Sequence, residues 1–113
     1  MKHKSRLWVD GSDVAPLYVA DRYLSRTRGL LGTRDLVGAL LITPGNSVHG
    51  VGMLYALDIA LLDAEFQVLH TLVLHPFGLT RPRRGVKHVL EARRGAFADW
   101  DLHVGSQLRN AEW

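Results

Sequence analysis

Val51-Gly-Met-Leu-Tyr-Ala-Leu-Asp-Ile-Ala-Leu-Leu62 and, after Asp63-Ala-Glu65, Gln67-Val-Leu-His-Thr-Leu-Val-Leu74 are two apolar runs divided by a turn-like segment. The first run is ambiguous, because Met53, Leu54, Leu57 and Leu61 also fall at helical spacing and alanine and leucine favour helices. Gly50 and Gly52 weaken a helix start, and the second run returns at once. An antiparallel hairpin is therefore expected. Both runs are apolar on two faces, which places them centrally, with a barrel wall or a helix over the second face.

Outward from the hairpin, residues 17–20 read as a short strand. Asp21 can cap a helix over residues 22–31, which Gly32 ends. Gly29 within it predicts close packing or an unusual backbone turn. Residues 39–42 form an apolar strand stopped by Thr43-Pro-Gly-Asn46. Residues 75–85, with Pro76, Gly78, Pro82 and Gly85, read as a loop. Residues 86–92 alternate as a strand, residues 96–102 have room for one or two helical turns, and residues 104–108 close the sheet. Residues 109–113 are expected to be loosely held. The fold class is mainly β (β-rich α+β): a small compact antiparallel sheet or barrel with one or two short helices, in one domain over residues 1–113.

At 113 residues and 47% hydrophobic composition the chain has material for one core. It has no cysteine, so disulfides, thiolate nucleophiles and cysteine-ligated metals are excluded. The basic start is followed by Leu7-Trp-Val-Asp10 without the apolar centre of a signal peptide. The longest mostly apolar stretch, residues 48–62, carries His49 and Asp58 and is too short and polar to span a bilayer. A cytoplasmic location and no membrane partner are expected. The net charge of +3 is modest.

Asp58 and Glu91 are the acids embedded in apolar segments. An unpartnered buried carboxylate costs several kcal/mol or has its pKa driven upward, so each needs hydrogen bonds, a cation or water. Two acids on one cleft can divide general-acid and general-base roles. Alternatively each is a structural acid, with Arg26 and Arg28 the expected partners of Asp58. Six histidines invite a metal, yet none stands in a ligand spacing, and no metal is expected. His70 and His88 can meet if their strands are neighbours. Gly50-Val-Gly52 is too short to cradle phosphate, no nucleotide motif occurs, and no cofactor is expected. Ser47 and His49 lack an oxyanion device and a Gly-x-Ser-x-Gly elbow. Arg81, Arg83, Arg84, Lys87, Arg93 and Arg94 form the main charge asymmetry. Without a reading helix or stacking aromatics they offer nucleic acid only weak, non-specific contact.

Several short blocks together resemble the bacterial and archaeal family known as domain of unknown function 192. Arg26, Gly29 and Leu30 match its Arg-x-x-Gly-Leu pattern, and Ser47-Val-His49 with Met53 resembles the segment before its Leu-Asp pair, here Leu57-Asp58. Val89-Leu-Glu91 with Gly95 resembles a further block, and Val104-Gly105 its final turn. Leu31, Gly52, Ala56 and Ser106 depart from the pattern. The resemblance covers residues 19–108 and implies a strand-rich domain with short helices; it names no reaction. The first functional reading is a non-enzymatic domain that binds a small ligand or protein near His49, Met53, Asp58, Arg26 and Arg28. The alternatives are a hydrolase-like enzyme using Asp58 and Glu91, and a weak polyanion-binding module using Arg81, Arg83, Arg84 and Arg94 in the basic loop 81–94.

Overall fold

The computed structural model describes residues 3–20, 38–45, 47 and 55–110. Among the described residues the elements are β1 (His3–Val9), β2 (Ser12–Ala20), β3 (Ala39–Ile42), β4 (Leu57–Leu62), β5 (Val68–Leu74), β6 (His88–Arg93), the one-turn helix α1 (Ala96–Asp99) and β7 (Leu108–Asn110). The expected helix over residues 22–31, with Gly29, lies outside the described residues, as do Gly50 and Gly52.

β4 and β5 form the expected hairpin, with Leu57 opposite Leu74, Leu62 opposite Val68 and a register shift between Leu61 and Leu62. Asp63 shapes its turn: the Oδ1 atom accepts the Glu65 and Gln67 N–H groups, each at 2.9 Å, and the Asp63 carbonyl accepts the Phe66 N–H. Aspartate favours turns for this reason, since its short side chain satisfies backbone donors that no ladder reaches.

The strands form one curled sheet, a half-barrel, in the order β5-β4-β6-β3-β2-β1-β7. The mainly β fold is as the sequence predicts. The sheet is mixed, because β2 and β3 run parallel. β4 is buried along its whole length, as its two apolar faces require, but β5 stands at the end of the order and is half-buried through its middle. The two ends of the order meet at one rim: Val68 N–H donates to the Ser106 carbonyl, Gly105 N–H to the Val68 carbonyl, and Leu108 N–H to the Phe66 carbonyl. This curl encloses one core of Leu7, Leu17, Leu41, Leu62, Leu90 and Leu108, against which α1 packs Phe97. A second core of Leu40, Ile42, Ile59, Leu61, Leu74 and Val89 lies on the opposite face.

At the chain ends the structure is more ordered than the sequence suggests. β1 and β2 join through Asp10 (φ 49) and Gly11 (φ 88), the left-handed pair that a two-residue hairpin loop demands. The last strand begins at Leu108; residues 104–107 form its approach rather than the strand itself. Arg109 and Asn110 belong to that strand, paired with β1, and Asn110 is buried, which corrects the loosely held tail as far as residue 110.

Candidate functional site

β6 lies between β4 and β3, and its register decides the relation of the two embedded acids. Asp58 pairs with Ala92, whereas Glu91 pairs with Ile59 on one side and Leu40 on the other. Side chains of paired residues share a face and successive residues alternate. Asp58 therefore projects with Ala92 into the enclosed core, and Glu91 projects with Ile59 and Leu40 onto the second core. The sheet separates them, so the two carboxylates do not meet in one cleft.

Asp58 is occupied. Its side chain is 7% exposed, and Oδ2 accepts the Gly95 N–H at 3.0 Å and the Phe97 N–H at 3.1 Å. Gly95 at φ 95 turns the chain out of β6 so that donors on either side of Ala96 converge on one oxygen. The carboxylate satisfies donors at the start of α1 that would otherwise lack partners. Arg94 adds an ion pair at 3.3 Å from a side chain 61% exposed. Arg26 and Arg28, the partners expected from sequence, lie outside the described residues, as do His49 and Met53. Arg94 itself was legible only as one basic residue among several.

Glu91 is in a different state. Only 7% of it is exposed, and burial pushes its carboxyl up from an ordinary 4.5 to about 8. Tyr18 packs against the same core, on β2 beyond Leu40. Desolvation is the cause of the Glu91 shift. A carboxyl group in such surroundings is mostly protonated at neutral pH and can both donate and accept a hydrogen bond.

His88, at the start of β6, stacks on Phe66 with ring centroids 4.2 Å apart, and its Nδ1 lies 2.7 Å from Thr43 Oγ1. Burial lowers its pKa, and Asp63 opposes that shift in part. His70 does not meet it, because β4 lies between β5 and β6. No group of three or more histidine or acidic side chains with metal-binding geometry occurs among the described residues.

The basic cluster divides. Arg93 pairs with Asp99 at 2.7 Å and Arg94 with Asp58, both at the α1 end of β6. Lys87 adjoins the other end, six residues back along an extended strand, roughly 20 Å away. Arg81, Arg83, Arg84 and Lys87 are exposed on the loop before β6. Glu91, the acid within residues 81–94, does not oppose them, since it is buried.

These features define a small, mainly β half-barrel with one acid consumed in holding a helical turn and a second held in an apolar face. The chain belongs to the family of domain of unknown function 192, described as uncharacterised ACR, whose model matches residues 6–110. It is similar to uncharacterised UPF0127 proteins of Pyrococcus furiosus (29% identical, covering 83% of each chain) and Pyrococcus horikoshii (28% identical, covering 80% of this chain and 84% of the relative). Its fold is similar to crystal structures of a Sinorhizobium meliloti protein proposed to be a transcription regulator and of a Novosphingobium aromaticivorans protein of unknown function. The first superposes with a TM-score of 0.80 at 19% identity, covering 99% of this chain and 97% of the other. The second has a TM-score of 0.68 at 18% identity, covering 94% and 84%. The family's function is not established.

Proposed function

We propose that the protein is a non-enzymatic binding domain, and that the face carrying Glu91, Ile59, Leu40 and Tyr18 receives a small molecule with an apolar body and an uncharged hydrogen-bonding group. The observation that carries this reading is Glu91: an acid in an apolar face, its carboxyl raised to about 8 by burial. An acid that must take up a proton on folding weakens the fold at neutral pH, and a site that binds through it is a reason for its presence. The protonated carboxyl offers one donor and an acceptor without introducing charge into the apolar face. A ligand of matching polarity keeps both satisfied. His49 and Met53, which precede β4 in the chain, stay as contact candidates from the sequence.

The two-acid hydrolase is less well supported, because general acid and general base must reach one bond and the sheet stands between Asp58 and Glu91. Thermal-shift measurements at pH 7 with a panel of uncharged aryl amides and matched quaternary ammonium compounds test the proposal. Amides should raise the melting temperature of the wild-type protein and of Glu91→Gln, and not of Glu91→Leu. Stabilisation that ignores the Glu91 substitutions would overturn it. So would turnover of chromogenic glycosides that both Asp58→Asn and Glu91→Gln abolish.

A further inference from the structure

Among the described residues the exposed large hydrophobic side chains are Trp8, Phe77, Leu79 and Val104. Two of these four stand two positions apart on the loop that joins β5 to β6. Phe77 is 75% exposed and Leu79 63%, and Arg81 and Arg83 follow at the same spacing, both exposed, while Thr80 between them is buried. The loop therefore exposes apolar side chains at its start and cations after them, with Arg84 and Lys87 extending the cationic part. No acidic residue occurs in the sequence between Glu65 and Glu91.

The backbone holds the apolar end outward at a conformational cost. Gly78 N–H donates to the His75 carbonyl at 2.8 Å, closing a turn with Pro76 second and Phe77 third. Phe77 has φ 64, where the third position of such a turn favours glycine or asparagine. A bulky residue in the left-handed region is strained, and strain of this kind concentrates at functional positions. Here it displays an aromatic ring to solvent. Gly78 cannot share that burden, because a Cβ there would stand 2.9 Å from the His75 carbonyl oxygen.

We infer that this loop docks the domain on an anionic lipid surface, with Phe77 and Leu79 entering the headgroup boundary and Arg81, Arg83, Arg84 and Lys87 meeting lipid phosphates. The chemistry is complementary on both counts: apolar side chains gain by leaving water, and each cation close to an anionic bilayer adds attraction. No spanning segment is needed, and none of the helices among the described residues is long and apolar enough to cross. Single-stranded nucleic acid fits less well, because Leu79 has no ring on which a base could stack. This inference uses different residues from those of the Glu91 site and stands independently of it.

Sedimentation with vesicles of phosphatidylglycerol and phosphatidylcholine in equal parts, against phosphatidylcholine alone, tests it on the whole chain. Binding is expected on the anionic vesicles only, weakening steeply as NaCl rises from about 0.1 M to about 1 M. Changing Arg81, Arg83 and Arg84 together to serine should reduce partition on the order of a hundredfold, from roughly fivefold per arginine. Phe77→Gly should reduce it about tenfold or more while leaving the melting temperature unchanged or higher. Leu79→Ser, at a position without the positive φ, gives a second reading if Phe77→Gly fails to fold. Absence of binding to anionic vesicles at low salt would overturn the inference. Binding indifferent to these substitutions would also overturn it, as would displacement of the protein from vesicles by single-stranded DNA that binds through Phe77.

Discussion

Replacing Glu91 by glutamine should stabilise the protein at neutral pH and leave it nearly unchanged in mild acid. The folded carboxyl titrates near 8 against an ordinary 4.5, with burial as the cause. Between those values the folded state binds a proton that the unfolded chain has released, so stability is greatest below about 4.5 and falls as pH rises. The loss is about 1.4 kcal/mol per pH unit, which gives about 3 kcal/mol by pH 7 and on the order of 5 kcal/mol by pH 8, above which the curve flattens. Glutamine keeps the shape and the hydrogen-bonding groups but has no proton to lose. Urea unfolding of both proteins at pH 4.5, 7 and 8.5 reads the difference directly. His88 acts in the opposite sense, because its lowered pKa makes stability fall as pH drops below its ordinary 6.5. It is present in both proteins and cancels in the comparison. Parallel pH curves for the wild type and Glu91→Gln would refute the reasoning.

Asp58→Ala should cost about 3 kcal/mol or more in chemical denaturation, because it strands the Gly95 and Phe97 N–H groups. Unchanged stability would show that those donors find water and that Asp58 is not a structural acid. Arg94→Ala should cost less than about 1 kcal/mol, since its side chain is 61% exposed. Gly38→Ala should unfold the protein or lower its stability by more than about 3 kcal/mol, because the new Cβ would collide with the Pro16 carbonyl where β2 meets β3, at φ 116. A thermal melt that does not move would remove that close approach. Asp10→Asn should lessen the loss of stability in strong acid, because the hydrogen bond from the Gln107 N–H holds the Asp10 carboxyl below its ordinary 3.8. A wild-type curve that matches the variant below that value would show the bond is absent in solution.

The hairpin of β4 and β5 was legible because two apolar runs flank Asp63, whose side chain closes the turn. The single-turn helix after β6 was legible from the short stretch that follows Gly95. The β1–β2 hairpin carries a readable signal, Asp10-Gly11 between alternating residues, although the basic start of the chain also resembles the beginning of an export segment. Pro16 within β2 obscured it further, since proline weakens a strand assignment. The position of β5 at the sheet end was not legible, because a two-faced apolar run can lie centrally or beside a covering segment. The separation of Asp58 from Glu91 was also beyond the sequence. It rests on the β4–β6 register, and a shift by one residue moves a side chain to the opposite face. The partners of Asp58 come from the turn after β6, 36 to 39 residues away, and no local pattern announces them.

Carboxyl ¹³C NMR on selectively labelled protein, titrated from pH 3 to 9 with Glu91→Gln to assign the signal, tests the Glu91 reading most directly. A midpoint near 8 for the Glu91 carboxyl is expected, well above the ordinary 4.5. A midpoint near the ordinary 4.5 would show a solvated or cation-paired carboxylate, and an uncharged hydrogen-bonding site on that face would be contradicted.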